Sequence, residues 1–563
     1  MSDDYKQELQ DINKKITQAK VQVKQGFLAK LLSQKKNSEG SEINTSFYET
    51  SDEKLLEQCF DGEKTYFAVY DKITEEITYQ DQYDDNGIII KPLMCEEVLK
   101  EHIKLPSKAE DYKNEKELDL EISHFIDNWL DIDSKYKRFA IYNIRKSWVY
   151  DRFHSLNYLR ALGDYGTGKS RFDDTIGYIH YKPIATSGAL TSAVLFRIIE
   201  KWKGTLIIDE ADFKNTDESQ DVVKIINQGY EKGRPVMRVD KDDHNKIDFF
   251  EVYCPKVIST RKEFEDKATE SRCMTEVMRQ TNRKDIPPNL TAGFWKETRI
   301  IRNKLLLWRF RNYNKIDADA GQNVDLGDIE PRLRQINVGF VALFMNDSEA
   351  LEDFKKFLQN YSKELIDSRA ETIEGRIVKA ICGIIIEERD LTAKNIIQQA
   401  ELKDKNGNLW ESRSISSKMK GLGFPIAKTQ RVYEGTAKVY PYIKENILML
   451  AKKYLSDVEL LEKIKEKCYD VTDVTNVTES VGNVSLDQFD TSRRIHNNGN
   501  IGNTVTDYSE NINKNLPSFF SNYPDMECPI TEFINNFSQD TLAKALQNGE
   551  VCESKAGYIR LNL

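Results

Sequence analysis

The sequence has no apolar run that approaches the length a bilayer requires, and its first twenty residues lack the basic and apolar stretches of a secretory signal. Its eight cysteines are scattered singly, without a C-x-x-C pair or a matching pair of histidines. These absences argue against a membrane protein, a disulfide-stabilised secreted protein and a zinc site. We therefore expect a cytoplasmic protein in a reducing environment, with no membrane partner.

The composition is that of a globular protein, with 39% hydrophobic and 31% charged residues and a mean hydropathy of −0.61. A chain of 563 residues is longer than one hydrophobic core usually supports, so it predicts three or more folded units. The formal net charge of −10 argues against a protein that is basic all over. Local basic patches that bind a polyanion remain compatible with it.

The spacing of apolar residues divides the chain into five parts. Residues 1–110 predict a helix within 1–36 and then a small β-rich unit with a turn at Asp84–Gly87. Residues 111–345 predict helices followed by alternating strands and helices, as in a three-layer α/β domain with a parallel sheet.

The remaining parts follow a different pattern. Residues 346–455 contain three helical stretches and then two strands, an order typical of a winged-helix domain. Residues 469–525 are rich in Asn, Thr, Ser, Asp and Gly and predict a disordered linker. Residues 526–563 regain apolar spacing and suggest a smaller winged-helix-like unit.

The segment from Gly163 to Ser170 reads G-D-Y-G-T-G-K-S and is typical of a phosphate-binding loop. An apolar strand precedes it and a helix follows it, so a chance match is the weaker interpretation. The glycines let backbone N–H groups turn towards phosphate oxygens, Lys169 would hold the β and γ phosphates, and Ser170 would coordinate Mg²⁺. The predicted nucleotide-binding residues are Gly163, Asp164, Tyr165, Gly166, Thr167, Gly168, Lys169 and Ser170.

An acidic strand end follows some forty residues later, where Thr205 to Asp212 reads T-L-I-I-D-E-A-D. Asp209 would support the metal ion, and Glu210 would polarise the attacking water as a general base. A kinase needs no base placed for water, so this pair favours ATP hydrolysis with Mg²⁺ over phosphoryl transfer to another substrate.

The next predicted strand, Lys256–Arg261, should end beside the γ-phosphate, where Ser259 or Thr260 would orient the water. Further on, Arg272 is placed where an arginine could reach the γ-phosphate of a neighbouring subunit. Taken alone, the position of Arg272 favours an ordinary surface arginine.

Residues 155–345 resemble the AAA+ ATPases that include the minichromosome maintenance helicases and the helicases of plasmid, archaeal and viral replication proteins. The resemblance rests on GDYGTGKS, on LIIDEAD, on Ser271-Arg272 after the next strand and on Pro331–Ile336, PRLRQI. It implies an AAA+ P-loop core, a homo-hexamer, DNA as a partner, Arg272 as a trans-acting finger, and Arg332 or Arg334 as a sensor arginine. Cys273 and the Ser259-Thr260 pair depart from the minichromosome helicases and favour the plasmid and phage type.

The family places a β-hairpin before the sensor strand, and this chain has a candidate. Arg234–Val239 and Ile247–Tyr253 predict two strands around a polar tip that carries Lys241, His244 and Lys246. In a ring these cations would meet the phosphates of a DNA strand in turn. An ordinary solvated turn explains the tip equally well, because aspartates accompany the lysines.

The third helix of the predicted winged helix and its wing offer further basic residues: Arg413, Lys418, Lys420 and Arg431. Such a helix lies against a duplex backbone in many DNA-binding proteins, although winged helices also dock other proteins.

Three functions remain open from the sequence. The first is an ATP-dependent helicase of a replication system acting on single-stranded or forked DNA, and the second is a non-translocating DNA-binding switch, such as an initiator or a defence ATPase. A protein-remodelling ATPase fits least, because no aromatic pore loop occurs between Ser170 and Asp209. The sequence contains no defensible primase or nuclease cluster, so priming would come from partners.

Overall fold

The computed structural model describes residues 42–187, 191–211, 217–240, 244–345, 347–405, 407–432, 435–470, 527–529, 551–555 and 558–561. The predicted helix within 1–36 and nearly all of the predicted linker at 469–525 lie outside these residues. The chain forms two compact units, Met1–Asn476 and Val477–Leu563, and each is described by itself. None of the described helices is both long and apolar enough to cross a membrane.

The N-terminal part consists of short strands and one short helix: β1 (Glu42–Asn44), β2 (Phe47–Glu49), β3 (Lys54–Phe60), β4 (Thr65–Asp71), β5 (Ile77–Gln80), β6 (Tyr83–Asp85), β7 (Ile88–Lys91) and α1 (Glu96–Leu99). Strands β2 to β5 form an antiparallel sheet in chain order, and a second sheet has the order β1-β7-β6. The turn between β6 and β7 has positive φ at Asn86 and Gly87, 54° and 85°, which confirms the turn predicted there.

A buried ionic network ties this part to the rest of the unit. The guanidinium of Arg309 donates to Glu57 on β3 over 2.6 Å and to Asp151 over 3.0 Å. The ammonium of Lys182 lies 3.0 Å from the other oxygen of Glu57. Glu57, Lys182 and Arg309 are almost fully buried, and one face of β3 and β4 belongs to the same hydrophobic cluster as the central sheet. The other face of these strands has a small cluster of its own, formed by Leu56, Phe67, Val69 and Ile90.

Two helices precede the central sheet, as predicted: α2 (Glu115–Trp129) and α3 (Ser134–Trp148). The side chain of Asn114 caps the first and that of Asp133 caps the second. The sheet and its connections follow: β8 (Tyr158–Leu162), α4 (Lys169–Phe172) with a π-helical turn (Asp173–Gly177), β9 (Ile184–Ser187), α5 (Ser192–Trp202), β10 (Leu206–Asp209), α6 (Asp217–Gln228), β11 (Val236–Val239), β12 (Ile247–Phe250), β13 (Lys256–Thr260), α7 (Lys267–Glu270) and β14 (Cys273–Val277).

The central sheet is five-stranded with the order β14-β8-β13-β10-β9, and all its neighbouring strands are parallel. This confirms the predicted α/β class and parallel sheet. β13 lies between β8 and β10, although it follows both in the chain. Because the strands are parallel, the carboxyl ends of β8, β10 and β13 meet at one edge, where doubly wound sheets bind their ligands.

Helices after the sheet complete this core: α8 (Ala292–Asn312), α9 (Pro331–Asn337) and α10 (Ser348–Ala370), with 3-10 turns at Tyr150–Arg152, Tyr313–Lys315 and Val338–Leu343. One hydrophobic cluster extends from Leu55 on β3 to Tyr361 on α10. Helix α10 supplies Phe354, Leu358 and Tyr361 to this cluster, and the domain boundary at residue 346 stays a prediction.

A second hydrophobic cluster extends from Ile377 to Cys468. Its elements are α11 (Ile373–Ile386), α12 (Ala393–Gln399), α13 (Ser412–Gly421), β15 (Lys428–Val432), β16 (Gly435–Val439), α14 (Lys444–Tyr454) and α15 (Val458–Asp470). The predicted order of three helices and a hairpin is confirmed, since β15 and β16 are antiparallel neighbours. The cluster ends beyond the predicted boundary at residue 455, because α15 supplies Ile464 and Cys468 to it.

The C-terminal unit contains an antiparallel sheet of order β17-β19-β18, formed by β17 (Glu527–Pro529), β18 (Val551–Lys555) and β19 (Tyr558–Leu561). The helices predicted between these strands lie outside the described residues, so the smaller winged-helix-like unit stays a prediction.

Candidate functional site

The loop after β8 adopts the backbone that its glycines allow. Gly166 and Gly168 have φ values of +71° and +89°, in the left-handed region that disfavours other residues. At Gly163 a Cβ atom would lie 2.9 Å from the carbonyl oxygen of Met278, so the close approach to the segment after β14 also requires glycine. The N–H of Gly163 donates to the carbonyl of Thr260, which anchors the loop to β13.

The lysine at the start of α4 lies inside this loop. Lys169 is 8% exposed, and its ammonium donates to the carbonyl oxygen of Asp164 over 2.8 Å. The hydroxyl of Thr167 donates to the same oxygen at the same distance. The charge of Lys169 is therefore held at the mouth of the loop, where phosphate oxygens could replace a single carbonyl as its partner.

Ser170 and Asp209 meet at the carboxyl edge of the sheet. The hydroxyl of Ser170 donates to the two carboxylate oxygens of Asp209 over 3.1 and 3.3 Å. From β13, the hydroxyl of Ser259 donates to one of the same carboxylate oxygens over 2.8 Å. The carboxylate thus lies between two hydroxyl groups that belong to α4 and β13.

These oxygens fit a magnesium ion that retains water and nucleotide ligands. Mg²⁺ is usually bound by one or two protein oxygens together with substrate phosphates and water. Ser170 and Asp209 supply such a pair beside the predicted phosphate-binding loop. Among the described residues, no group of three or more His, Cys, Asp or Glu side chains is placed to hold a metal ion by itself.

Glu210 follows Asp209 at the same edge with an unusual backbone. Its φ is +55°, a conformation rare for residues other than glycine and one that costs on the order of 1 kcal/mol. The hydroxyl of Ser259 accepts a hydrogen bond from its N–H over 3.0 Å, which holds the turn in place. Its carboxylate accepts a hydrogen bond from Arg261 over 2.8 Å.

Arg261 is a residue that the sequence analysis missed. It follows β13 directly, and its guanidinium lies 4.1 Å from the ring centre of Tyr165 and donates to the Tyr165 hydroxyl over 2.6 Å. It therefore joins the glycine-rich loop to Glu210. The available signal was its position as the first residue beyond a buried strand that borders the loop.

The two water-orienting candidates on β13 differ in placement. Ser259 faces Asp209, whereas Thr260 points to the other side of the sheet, as successive strand residues do. The Thr260 side chain is 1% exposed, and its hydroxyl has no hydrogen-bond partner among the described residues. The role predicted for Thr260 stays a prediction, and the geometry favours Ser259.

Two further carboxyl groups lie beneath the loop in the π-helical turn. Burial raises the pKa of Asp173 well above its ordinary value, with the nearby charge of Asp209 adding to the effect. Burial and then Asp209 raise the pKa of Asp174 to about 6. The shifts of both pKa values reflect burial beside the charge of Asp209.

The arginines that were predicted to act at a subunit boundary lie towards the amino ends of the sheet strands, away from the carboxyl edge. Arg272 precedes β14, and its carbonyl accepts from the N–H of Tyr158 at the amino end of β8. Its guanidinium is buried, lies 4.2 Å from the ring centre of Tyr230 and donates to Asn227 over 2.9 Å. Arg332 lies 5.3 Å from the same ring centre.

Arg334, the other sensor candidate, has different partners. Its guanidinium donates to the carbonyl oxygen of Val324 over 2.8 Å. The structure therefore brings Arg272 and Arg332 together around Tyr230 and leaves Arg334 apart from them. The roles of all three arginines in a neighbouring site stay predictions.

The predicted hairpin is formed by β11 and β12, with Met237 opposite Phe249 and Val239 opposite Ile247. Lys241 lies outside the described residues. His244 is exposed, and the ammonium of Lys246 lies 2.7 Å from Asp240 and 3.1 Å from Asp248.

The basic residues of the second cluster do not share one environment. Arg413, Lys420 and Arg431 are exposed, whereas Lys418 forms an ion pair with Glu374 over 2.6 Å. A groove of about 990 Å³ lies between α13 and β16 and is lined by Arg413, Ser416 and Lys438 among others.

Neither a protein-family model nor a curated protein matches this chain. The chain is similar at low TM-score to solved helicase structures. The active helicase Cch of SCCmec type IV is 12% identical with a TM-score of 0.34, over 75% of this chain and 83% of that one. The NrS-1 C-terminal region is 12% identical with a TM-score of 0.32, over 68% and 95%. The JCV helicase is 10% identical with a TM-score of 0.20, over 44% and 66%. Such scores do not by themselves assign a function.

Proposed function

We propose that this protein hydrolyses ATP with Mg²⁺ at the carboxyl edge of its parallel sheet. The observation that carries the proposal is the convergence of Lys169, Ser170, Asp209 and Glu210 on one edge, with Ser259 bonded to both acidic residues. This is the set of groups that phosphoryl transfer to water requires: a cradle for phosphates, ligands for a cation and a carboxylate near the attacking water.

In this mechanism the loop amides and Lys169 hold the β and γ phosphates of ATP. Ser170 and Asp209 hold the metal ion, which supplies positive charge to the phosphate oxygens. Glu210 accepts a proton from water as the water oxygen bonds to the γ-phosphorus and the bond from that phosphorus to the bridging oxygen breaks. The electron pair of the broken bond leaves with ADP.

We further propose that the ATPase belongs to the AAA+ class and drives a DNA helicase or translocase of a replication system as a homo-hexamer. Support comes from the insertion of β13 between β8 and β10, and from the hairpin that directly precedes β13. In the ring, Arg272 would complete the neighbouring site, with Arg332 or Arg334 as sensor, and the hairpin tip with Lys241, His244 and Lys246 would meet single-stranded or forked DNA. A primase or other replication proteins would be partners.

The second cluster supports the same proposal as a winged-helix unit. Its exposed cations Arg413, Lys420 and Arg431 are available to phosphates, whereas Lys418 already has a carboxylate partner. A non-translocating DNA-binding switch is the second candidate. It is favoured by the pairing of Lys246 with Asp240 and Asp248. This pairing offsets the positive charge with which the hairpin tip would bind DNA.

The deciding experiment measures the ATPase rate and the molar mass by light scattering, with and without single-stranded and forked DNA, for wild type and Glu210→Gln. A DNA-stimulated rate, an ATP-dependent hexamer and a hydrolysis-dead Glu210→Gln variant are expected for the translocating helicase. A slow ATPase rate that DNA does not change, measured for a monomer or dimer, would instead support the switch. Absence of any ATPase activity in wild type would refute both.

Two mixing and variant experiments separate the finer roles. An inactive Arg272→Ala variant should regain activity when it is mixed with an inactive Lys169→Ala variant, because one mixed interface combines two intact halves. Lack of rescue would make Arg272 a residue of its own subunit. Lys241→Ala with Lys246→Ala should abolish unwinding and leave basal hydrolysis unchanged if the hairpin grips DNA.

A further inference from the structure

One face of the hairpin formed by β11 and β12 is apolar and exposed to solvent. The register places Met237 opposite Phe249 and Val239 opposite Ile247, so these four side chains point to the same side of the two strands. Between 52% and 61% of the surface of each of these residues is exposed. A contiguous group of large apolar side chains on a surface is typical of a docking site. We call these four residues the apolar face.

The other face of the hairpin already has a partner in helix α5. The ring of Phe250 lies 4.4 Å from the ring of Phe196 on α5, measured between the ring centres. The guanidinium of Arg238 lies 5.5 Å from the same ring centre, and Val236 is buried. The hairpin therefore rests on α5 by one face, and successive strand residues alternate, so the apolar face is directed away from α5.

The described chain begins close to the same helix. β1 starts at Glu42, and the hydroxyl of Ser46 donates to the carbonyl oxygen of Trp202, the last residue of α5, over 3.3 Å. Trp202 is six residues from Phe196, which corresponds to about 9 Å along an α-helix. The point at which residues 1–41 join the described chain is therefore close to the helix that carries the hairpin.

The sequence before Glu42 complements the hairpin in both charge and apolar character. Residues 12–36 contain seven lysines and no acidic residue, whereas the tip from Asp240 to Asp248 contains four aspartates and two lysines. Within the predicted N-terminal helix, four large apolar residues are separated by three and four positions, as in one stripe of a helix: Phe27, Leu28, Leu31 and Leu32. A basic segment with an apolar stripe thus matches an apolar face beside an acidic tip.

We propose that the segment Phe27–Leu32 docks on the apolar face of the hairpin of its own chain, with the neighbouring lysines beside the acidic tip. Ten residues separate Leu32 from Glu42, and an extended chain of this length spans up to about 35 Å. This reach exceeds the roughly 9 Å between Phe196 and Trp202 together with the roughly 14 Å that residues 42–46 span at most.

Two other occupants fit the apolar face less well. Two copies of a face with only four side chains would bury far less than the roughly 1,600 Å² of a stable interface between separate proteins. A segment of the same chain needs less area, because its docking is intramolecular. Single-stranded DNA is a polyanion, and the aspartates of the tip do not favour it beside this face.

Docking has a consequence for the hairpin as a DNA contact. A docked segment covers the flank of the tip, so DNA has to displace it before it can reach the hairpin. The seven lysines would then be available to the same DNA. This consequence rests on the proposed function, whereas the docking itself does not.

The first test replaces Phe249 by p-benzoylphenylalanine in the full chain and identifies photo-cross-linked peptides by mass spectrometry. Cross-links from position 249 to residues 24–36 are expected. In a mixture of unlabelled and isotope-labelled protein, each cross-linked pair should carry one label only, because the segment docks within its own chain. Pairs of mixed label would make a second copy the occupant, and either these or a lack of cross-links to residues 1–41 would overturn the proposal.

The second test measures the initial rate of tryptic cleavage after Lys30 in the full chain. Met237→Ser with Phe249→Ser changes two exposed positions and should raise this rate about tenfold, because cleavage follows the population of the undocked segment. Met449→Ser, at a 57% exposed position of α14, is the matched control and should be cleaved as wild type is.

Equal cleavage rates in the wild type and the hairpin variant would overturn the docking. Protection of Lys30 that appears only with added single-stranded DNA, and to the same extent in both proteins, would make DNA the partner of the segment and overturn it as well. Neither result affects the proposed ATP hydrolysis, because no residue of the apolar face belongs to the nucleotide site.

Discussion

The hydroxyl of Ser259 donates a hydrogen bond to the carboxylate of Asp209 over 2.8 Å. This bond joins the ends of β13 and β10, which are neighbours in the sheet although some fifty residues separate them in the chain. The same hydroxyl accepts from the N–H of Glu210. One serine therefore holds both the proposed metal ligand and the proposed base.

Loss of the Ser259 hydroxyl should raise the Mg²⁺ concentration that the ATPase requires. Ser259→Ala removes a hydrogen bond to a charged group, so the Mg²⁺ concentration for half-maximal ATPase activity should rise about tenfold, with a lower maximal rate. A magnesium titration of the ATPase rate measures both. Thr260→Val is the matched control, because the Thr260 hydroxyl has no partner among the described residues and the β-branched shape is kept. Activity lost in Thr260→Val and retained in Ser259→Ala would reverse the assignment.

The buried network between the N-terminal sheet and the central domain should dominate stability. Arg309→Met leaves the buried Glu57 and the partly exposed Asp151 without their shared partner, which should cost about 3–5 kcal/mol and lower the melting temperature. Scanning calorimetry of the full chain measures the shift. Lys91→Met removes the partially exposed pair with Glu42 and should cost less than about 1 kcal/mol. Equal shifts for the two variants would show that the network adds no stability.

Stability should also fall as the pH rises from about 4.5 to about 7, in part because of Glu276. Burial raises the pKa of this carboxyl from 4.5 to about 7, although the hydrogen bond from the N–H of Asp133 acts in the opposite direction. The folded state thus binds the proton more tightly than the unfolded chain, so its contribution is complete below pH 4.5 and is lost as the pH rises through about 7. The loss amounts to about 3 kcal/mol at most.

Glu276→Gln should remove this part of the pH dependence. Its amide oxygen can still accept from the N–H of Asp133, and melting temperatures between pH 5 and 8 should change less than in wild type. Glu352→Gln, at an exposed position of α10, should keep the wild-type profile. If the Glu276→Gln profile followed wild type, the carboxyl would titrate normally.

DNA binding by the winged-helix unit should depend on the exposed cations. Arg413→Ala and Lys420→Ala should each weaken duplex binding and reduce the slope of log affinity against log salt by roughly one, because each removes about one phosphate contact. Fluorescence anisotropy at several salt concentrations measures both quantities. Lys418→Ala should change the slope less, since its charge is paired with Glu374. If all three variants kept the wild-type slope, the result would argue for protein docking instead.

Short motifs were readable without the fold because their chemistry is local. Gly166 and Gly168 take left-handed backbone conformations that other residues avoid, and Lys169 follows them directly at the start of α4. The turn at Asn86-Gly87 was predictable for the same reason. Domain boundaries were harder to predict from the sequence, because the residues against which α10 packs are far away in the chain.

The sequence by itself determined the glycine-rich loop at Gly163–Ser170, the acidic strand end and the order of helices and strands, since local geometry and burial leave regular patterns of residue types. Only the tertiary structure decided that β13 lies between β8 and β10, that Ser259 faces Asp209, and that Arg261 binds Glu210. It also decided that Arg272 and Arg332 share Tyr230 as a partner. Strand order and contacts between distant side chains depend on how the whole core packs, and one sequence carries no local signal for them.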